Sequence, residues 1–267
     1  LKSKIIKMYS NNLVKSIKNL ENKTLELKTQ KGTTKCDLLI GADGRQSNIR
    51  KIGLFKYLYK NYNQNAYVFN ILHEAPHNGT ALERFFPTGP LAVLPMKTKK
   101  GNQSSVVFTV DDDVKFKNKD SFHKFFEEKY KGFFGGIIKF SKVSTFPLDV
   151  YSCLKYYKNN IVLVGDACQA LHPIAGQGFN LGLRDCLFLS ESLNRAKNLG
   201  QRVNSNLILK EYSRKRFYDK TLLVGSTHNL NKFFGFKGKI ISELRSVGLK
   251  LFNRSDFLKK RSMLFAM

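Results

Sequence analysis

IVLVGDACQALHPIAGQGFNLGLRDC, from Ile161 to Cys186, is the stretch of the chain that decides the fold. An apolar strand pattern ends at Gly165-Asp166, and a helical pattern begins after Gln177. In open α/β folds, ligands bind at the carboxyl ends of strands, where a carboxylate can accept hydrogen bonds from sugar or polyol hydroxyls. Because a simple connecting loop needs no such residues, the stretch predicts an α/β ligand site that includes Asp166.

Glycines flank Gln177 at the point where the helix is expected to begin. The free backbone N–H groups of a helix N-terminus carry partial positive charge, equivalent to roughly half an elementary charge. Gly176, Gln177 and Gly178 are therefore expected to face negative charge on a cofactor. No GxGxxG dinucleotide motif occurs in the 267 residues, as expected if a first βαβ unit lies upstream of Leu1.

A second apolar strand ends in a similar way, in LLIGADGRQSNIR from Leu38 to Arg50. Asp43-Gly44 follows the strand, and a glycine there lets the backbone approach a ligand closely. The alternative is a local turn in which the Asp43 side chain bonds only to its own backbone. Ser47 is expected to cap a short helix that continues to Ile52.

The rest of the chain predicts one α/β (or α+β) domain interrupted by a β-rich one. Strand-like runs occupy 66–72, 80–86, 90–96, 104–110 and 143–150, with a helix capped by Asp120 over 120–131. Helical periodicity returns over 206–230 and 239–252. The expected divisions are 1–54 and 151–193 for the interrupted domain, 55–150 for the β-sheet domain and 194–267 for a C-terminal helical region.

Length and composition bound the class of protein. The chain has 267 residues, 42% hydrophobic, with no run of eighteen apolar residues and no visible secretory signal. It begins with Leu1 inside a strand-like pattern, so we expect a piece of a longer protein that lacks its N-terminus. The four cysteines show neither CxxC nor zinc-like spacing, and we expect reduced thiols in a cytosolic-type compartment.

The net charge of +26 favours anionic partners such as nucleic acid, acidic lipid or phosphorylated cofactors. Between Arg195 and Met267 there are 17 basic and 4 acidic residues. The alternative is a solvated surface, because an AT-rich coding sequence also enriches Lys, Asn, Ile and Phe. A basic nucleic-acid-binding module stays open on charge alone, although no RNA-binding signature, helix-turn-helix or zinc motif is present.

Three stretches resemble a known family. Residues 161–186 resemble the second FAD fingerprint of the aromatic-ring flavin monooxygenases, which share the fold of para-hydroxybenzoate hydroxylase, and GADGRQSNIR resembles their middle fingerprint. HPIAGQGFNLGLRD and HNGTALERFFPTGPLAVLPM (His77–Met96) resemble the ubiquinone-biosynthesis hydroxylases, and Gln169 resembles the 2-polyprenyl-6-methoxyphenol hydroxylases among them. The resemblance implies a Rossmann-like FAD-binding domain without its N-terminal βαβ unit, interrupted by a mostly antiparallel substrate sheet and followed by C-terminal helices.

The resemblance also implies roles for individual residues. Asp166 is expected to hydrogen-bond the ribityl chain of FAD, and Gly165 and Ala167 to line its pyrophosphate. Pro173 and His172 are expected beside the flavin ring, with His172 either a structural neighbour or a proton donor or acceptor. The other residues expected to serve the cofactor are Asp43, Gly44, Arg50, Gly176, Gln177, Gly178 and Asn180.

The implied reaction is hydroxylation of a polyprenylated phenol in ubiquinone biosynthesis, with FAD as cofactor, NAD(P)H as co-substrate and O2 as oxidant. An FAD-dependent reductase or epoxidase of the same fold, acting on an isoprenoid, is the alternative enzyme. The resemblance implies neither a metal nor nucleic acid. We expect a cytoplasmic protein at the inner face of a membrane, where residues 231–265 attach to the lipid surface or to a membrane-bound biosynthetic complex. The alternative is a solvated helix whose apolar face packs on the FAD-binding domain.

Overall fold

The computed structural model of the protein describes residues 5–21, 23–131, 133–170, 177–235 and 239–266. The chain divides into two units. Residues 1–59 and 150–267 form the first unit, and residues 60–149 form the second. Along the sequence, the two segments of the first unit therefore flank the single continuous segment of the second.

The strands of both units are short, apart from β5 and β10. In chain order they are β1 (Val14–Asn19), β2 (Leu25–Thr29), β3 (Gly32–Cys36), β4 (Leu39–Gly41), β5 (Tyr57–His73), β6 (Leu82–Phe86), β7 (Gly89–Pro95), β8 (Gln103–Asp111), β9 (Ile137–Phe140), β10 (Ser144–Cys153), β11 (Tyr157–Lys158), β12 (Ile161–Leu163) and β13 (Gln169–Ala170).

The longer helices lie towards the end of the chain. The helices are α1 (Asn48–Ile52), α2 (Lys119–Tyr130), α3 (Gln177–Asn198), α4 (Asn206–Gly235), α5 (Lys239–Arg254) and α6 (Asp256–Ala266). Ser47 caps α1 as predicted, because its hydroxyl accepts the Arg50 N–H at 2.9 Å. The predicted cap of α2 is wrong: Asn118, not Asp120, accepts the Ser121 N–H, and Ser121 bonds back to the Asn118 N–H in a reciprocal capping box.

Strand β12 is the centre of the first unit. It pairs in parallel with β4 and antiparallel with β11, and each residue from Ile161 to Val164 is at most 6% exposed. A continuous apolar run is typical of a strand that is covered on both faces. The core around it comprises Leu25, Leu27, Ile49, Phe55, Cys153, Tyr156, Ala167, Cys168, Leu189, Leu209 and Tyr212.

Helix α4 packs into this same core. Leu209 and Tyr212 are fully buried there, and the Tyr212 hydroxyl donates to the Leu163 carbonyl at 3.4 Å. The expected boundary between residues 151–193 and 194–267 falls inside α3. Helices α3 and the start of α4 therefore belong to the first unit rather than to a separate region.

The second unit is an antiparallel sheet with α2 packed on one of its faces. The strand order is β10-β5-β8-β7-β6, and β9 pairs with β5. Side chains alternate between the two faces of each strand, so every second residue meets the helix. The core on the helix side comprises Phe69, Ile71, Leu91, Val93, Val106, Phe108, Val110, Phe122, Phe126 and Tyr130.

Strand β3 has no counterpart among the strands that the sequence predicts. The sequence GTTKC pairs with β2 over its whole length, from Thr29 opposite Gly32 to Leu25 opposite Cys36. Four of its five residues are exposed. A strand without a buried face carries no apolar alternation, and its hairpin partner alone defines it.

Candidate cofactor site

The two strand ends singled out by the sequence lie side by side. Leu163 is opposite Gly41 in the parallel pair, and the Val164 N–H donates to the Gly41 carbonyl at 3.0 Å. The segments that follow, residues 42–45 after β4 and the short 3-10 helix Gly165–Ala167 after β12, therefore emerge at the same edge of the sheet. This is where a ligand is expected in an open α/β sheet.

The Asp43 carboxylate accepts hydrogen bonds from residues that follow it closely in the chain. Its Oδ2 accepts the Asn48 N–H at 2.7 Å and the Ile49 N–H at 3.0 Å, and Oδ1 accepts the Ser47 hydroxyl. These are first-turn N–H groups of α1 that have no partner inside the helix. The arrangement supports the local alternative, and a contact between Asp43 and a cofactor stays a prediction. Gly44 has φ +77°, a left-handed conformation that favours glycine.

Arg50 connects the two turns. Its guanidinium donates from Nη1 to the Ala167 carbonyl at 2.8 Å and from Nη2 to the Arg45 carbonyl at 2.7 Å. It also lies 4.5 Å from the centre of the Tyr151 ring, whose hydroxyl donates to the carbonyls of Arg45 and Asp166. Arg50 is only 6% exposed. Arg50 and Tyr151 therefore fix the backbone of both turns from within the protein.

The turn at Gly165–Asp166 presents the Asp166 carboxylate at the protein surface. Gly165 has φ +57°, so a side chain at this position would be strained. A Cβ added to Gly182 of α3 would lie 3.6 Å from the Gly165 Cα, so the helix passes the turn in direct contact. The Asp166 side chain is exposed. Partial desolvation raises the pKa of Asp166, and the charge of Arg45 opposes this.

A buried carboxylate holds the turn from the other side. The Asp185 Oδ2 accepts the Gly165 N–H at 2.7 Å, and its Oδ1 pairs with Arg216 of α4. Both side chains are fully buried. Arg216 also pairs with Asp219, which bonds Arg184 at 2.9 Å. Burial raises the pKa of Asp185 to about 6, although Arg216 and the Gly165 N–H act in the opposite direction.

Sequence reasoning missed Asp185, Arg216 and Tyr151. One signal was available, because Arg184-Asp185 interrupts the apolar pattern of the helix that follows the turn. A charged pair in that position indicates a buried partner more often than a solvated face, since an unpaired buried charge is costly. Nothing local points to Arg216, which is separated from Asp185 by 31 residues.

The N-terminus of α3 supplies the remaining predicted residues. The described helix begins at Gln177 and contains no acidic residue in its first turn. A Cβ added to Gly178 would meet nothing within 4 Å, so space is open beside it, and Asn180 is half-buried one turn further on. The predicted residues His172, Pro173 and Gly176 lie outside the described residues.

Comparison with known sequence families identifies the family of the chain. The family described as "FAD binding domain" matches residues 10–222. The chain belongs to this FAD-binding family. The matched residues contain both turns and the whole of the second unit.

Named relatives of this FAD-binding chain take part in ubiquinone chemistry. It is 33% identical to "Ubiquinone hydroxylase UbiL" of Rhodospirillum rubrum over 239 residues, which are 88% of this chain and 55% of the relative. It is 29% identical to human "Ubiquinone biosynthesis monooxygenase COQ6, mitochondrial" over 272 residues, with 88% and 58% covered. The chain thus spans between half and two thirds of the length of these curated relatives.

The fold is shared with solved flavin monooxygenases. The structure of p-nitrophenol 4-monooxygenase PnpA from Pseudomonas putida DLL-E4 superposes with a TM-score of 0.72 at 17% identity, over 96% of this chain and 65% of that one. At this identity the likeness concerns the fold alone. The expected class, an FAD-binding domain interrupted by an antiparallel sheet and followed by helices, is confirmed.

The described residues fit FAD. An exposed carboxylate at the end of β12 is an acceptor for a polyol hydroxyl, and a helix N-terminus without acidic residues suits an anionic group. Among the residues that the structure covers, no cluster of three or more His, Cys, Asp or Glu side chains could hold a metal ion. None of the helices in those same parts of the chain is both long and apolar enough to cross a membrane.

Proposed function

We propose that this chain forms part of an FAD-dependent monooxygenase that hydroxylates the aromatic ring of a polyprenylated phenol in ubiquinone biosynthesis. The observation that carries the proposal is the pair of turns after β4 and β12, held together by Arg50. The names of the ubiquinone hydroxylase and ubiquinone biosynthesis monooxygenase relatives support the choice of substrate.

Each turn has a part in holding FAD. The exposed Asp166 carboxylate accepts a hydrogen bond from a ribityl hydroxyl, while Gly165 and Ala167 present backbone to the pyrophosphate. Gln177 and Gly178 direct the positive end of the α3 dipole towards the negative edge of the flavin. When bound, FAD supplies the redox chemistry, with NAD(P)H as reductant and O2 as oxidant. Asp43, Gly44 and Arg50 keep the neighbouring loop in place.

The second unit offers an apolar surface for the phenol. On the face opposite α2, Val68, Val107 and Ala92 form one row across β5, β8 and β7. These three residues are each half-buried. Small and branched side chains leave a flat surface against which an aromatic ring and the first isoprene units pack. We therefore assign substrate contacts to this face.

The reaction is tested in the full-length protein that contains these residues. Purified protein is expected to contain FAD and to oxidise NAD(P)H faster when a short-chain polyprenyl phenol is added. The product should carry one oxygen atom from 18O2 on its ring. Val107→Lys is expected to abolish the stimulation by phenol, and Val106→Ala, on the helix side of β8, is the control for packing. A reduced or epoxidised product without ring hydroxylation would instead favour the reductase or epoxidase.

We also propose that α5 and α6 attach the protein to membranes that contain anionic lipid, where a polyprenylated substrate resides. Helices with both basic and apolar side chains bind such surfaces, at about 1 kcal/mol for each basic residue near the lipid. Among the side chains of these helices that the structure describes, the large exposed apolar ones are Val247, Leu249, Leu251, Phe252, Phe257 and Leu258. The basic residues of the same helices include Lys250, Arg254, Lys259, Lys260 and Arg261.

Co-sedimentation with vesicles tests this attachment. Binding is expected to rise with the fraction of phosphatidylserine and to fall with salt, because salt screens exposed charge. Changing Lys259, Lys260 and Arg261 to Gln should reduce it. The matched control changes Lys97, Lys99 and Lys100, which are exposed in the second unit, to Gln. Equal sedimentation of both triple variants would remove α6 as the anchor.

A further inference from the structure

Two cysteines in the first unit have no part in the proposed function. Cys153 ends β10, and Cys168 lies between the Gly165–Ala167 turn and β13. They are 1% and 0% exposed, and both are free thiols. Because they are close to the turn that carries Asp166, a covalent change at these thiols would act directly on the candidate cofactor site.

The strand register places the two cysteines opposite each other. Tyr151 pairs with Ala170 and Ser152 with Gln169, so the next antiparallel pair is Cys153 with Cys168. The Cys153 N–H donates to the Cys168 carbonyl at 2.9 Å. Directly opposed residues of antiparallel strands have Cα atoms about 4.5–5.5 Å apart, within the range of about 4.4–6.8 Å that a disulfide needs. This backbone spacing permits a disulfide between the two residues.

The surroundings of the pair favour a reactive thiolate at Cys153. A hydrogen bond from the Cys168 thiol lowers the pKa of Cys153, the charges of Arg50 and Lys220 act in the same direction, and burial opposes them. Lys220 is fixed nearby, because its ammonium donates to the Ser152 hydroxyl. Thiolates, not thiols, are the nucleophiles, and electropositive surroundings distinguish reactive cysteines from inert ones.

We propose that Cys153 and Cys168 form a peroxide-sensitive dithiol that closes to a disulfide behind the Gly165–Ala167 turn. The Cys153 thiolate attacks hydrogen peroxide, which gives a sulfenic acid and hydroxide. The Cys168 thiol then attacks the sulfenic sulfur, the S–S bond forms and water leaves. Two thiols are oxidised and one peroxide is reduced. The Cys168 proton leaves in the water that departs from the sulfenic sulfur, and the hydroxide becomes the second water by taking up the proton that the Cys153 thiol lost on ionising.

Hydrogen peroxide is the co-reactant that this site requires. It is the two-electron reduction product of the O2 that the proposed monooxygenase consumes, and it is as small and uncharged as water. Residues adjacent in sequence to the pair reach the surface: Leu154, which follows Cys153, is 55% exposed, and Asp166, two residues before Cys168, is exposed. Peroxide is added directly in the test, so the result does not depend on the monooxygenase proposal.

The chain contains its own controls. Cys186 is exposed and Cys36 is half-buried, so reaction governed by exposure alone would begin at Cys186. The purified 267-residue chain is titrated with hydrogen peroxide, the remaining thiols are alkylated, and the peptides are mapped by mass spectrometry. We expect the loss of two alkylatable thiols, a cross-linked peptide that joins Cys153 to Cys168, and recovery of both thiols with dithiothreitol.

Single variants separate the two roles. In Cys168→Ser, dimedone should trap a sulfenic acid at Cys153, because the resolving thiol is absent. In Cys153→Ser, Cys168 should stay alkylatable at the same peroxide concentration, and the double variant Cys36→Ser, Cys186→Ser should form the disulfide as the wild type does. The proposal is overturned if folded wild-type protein oxidises Cys186 or Cys36 while Cys153 and Cys168 remain alkylatable. The wild-type titration gives this answer even where a serine variant does not fold.

Discussion

The turns after β4 and β12 begin from the same sequence pattern and use it differently. Each has an apolar strand, then glycine and aspartate, and then a helix: α1 begins five residues after Asp43, and α3 begins eleven residues after Asp166. The Asp43 carboxylate accepts hydrogen bonds from the first N–H groups of the helix that follows it. Asp166 leaves its carboxylate exposed, because other residues hold its turn. Arg50 and Tyr151 hold both turns through the Arg45, Asp166 and Ala167 carbonyls. The Asp43 turn is also capped by its own carboxylate, whereas the Asp166 turn, whose carboxylate is free, is held by Asp185 instead.

The stabilisation of the Asp166 turn comes from three separate parts of the chain. Asp185 accepts the Gly165 N–H, Arg50 donates to the Ala167 carbonyl, and Tyr151 donates to the Asp166 carbonyl. Preorganisation of this kind keeps a binding group in place before its ligand arrives. The exposed Asp166 carboxylate can therefore be the functional group of the site, and the buried side chains of Asp185, Arg50 and Tyr151 its structural supports.

The largest expected effect comes from breaking the buried ion pair behind the Asp166 turn. Arg216→Ala leaves the fully buried Asp185 without its ion-pair partner, and removing one partner of a buried pair costs about 3–5 kcal/mol in proteins. We expect the free energy of unfolding to fall by that order in urea titrations at pH 7. The control is Lys215→Ala, because Lys215 is 42% exposed and pairs with Glu211 at 3.4 Å. That exposed pair is worth less than about 1 kcal/mol, so equal losses would contradict the comparison.

The sequence could predict what each turn looks like but not what holds it. The apolar run of β12, the Ser47 cap and the helical period after Gln177 are local signals, and the structure contains all three. Whether Asp43 or Asp166 keeps a free carboxylate depends on contacts made after the chain has folded. Tyr151 and Arg216 take part only through tertiary packing, and neither lies in a recognisable motif.

The second effect is a pH dependence of the free energy of unfolding, caused by Asp185. Its pKa of about 6 in the folded protein exceeds the ordinary value of 3.8, so the folded state binds this proton more tightly than the unfolded state. The free energy of unfolding should therefore fall as pH rises from about 4 to about 6, by up to about 3 kcal/mol. Asp185→Asn should remove that fall. If the free energy of unfolding changed with pH in the same way in wild type and variant, the proton would be bound by a group other than Asp185.

The free carboxylate itself gives the next effect. Asp166→Ala removes the acceptor proposed for a ribityl hydroxyl, and an unpaired buried hydroxyl costs about 1–3 kcal/mol. In the full-length protein we expect the Kd for FAD to rise roughly 5- to 150-fold, with the unfolding free energy of the FAD-free protein within about 0.5 kcal/mol of wild type. Asp113→Ala, at an exposed position of the second unit, is the control. An unchanged Kd would refute the ribityl assignment.

The smallest effect is expected at Asp43. The question there is whether the substitution lowers stability or the affinity for FAD. Asp43→Ala leaves the Asn48 and Ile49 N–H groups without an acceptor, and the loss of such a cap costs about 1 kcal/mol of stability. Asp43→Asn keeps an acceptor oxygen and should restore most of that loss. Measured side by side, the two aspartates should separate: Asp43→Ala lowers the unfolding free energy of the FAD-free protein, and Asp166→Ala lowers the affinity for FAD. If Asp43→Ala weakened FAD binding as strongly as Asp166→Ala without loss of stability, both carboxylates would bind the cofactor, and the local contacts of Asp43 would be incidental to its role.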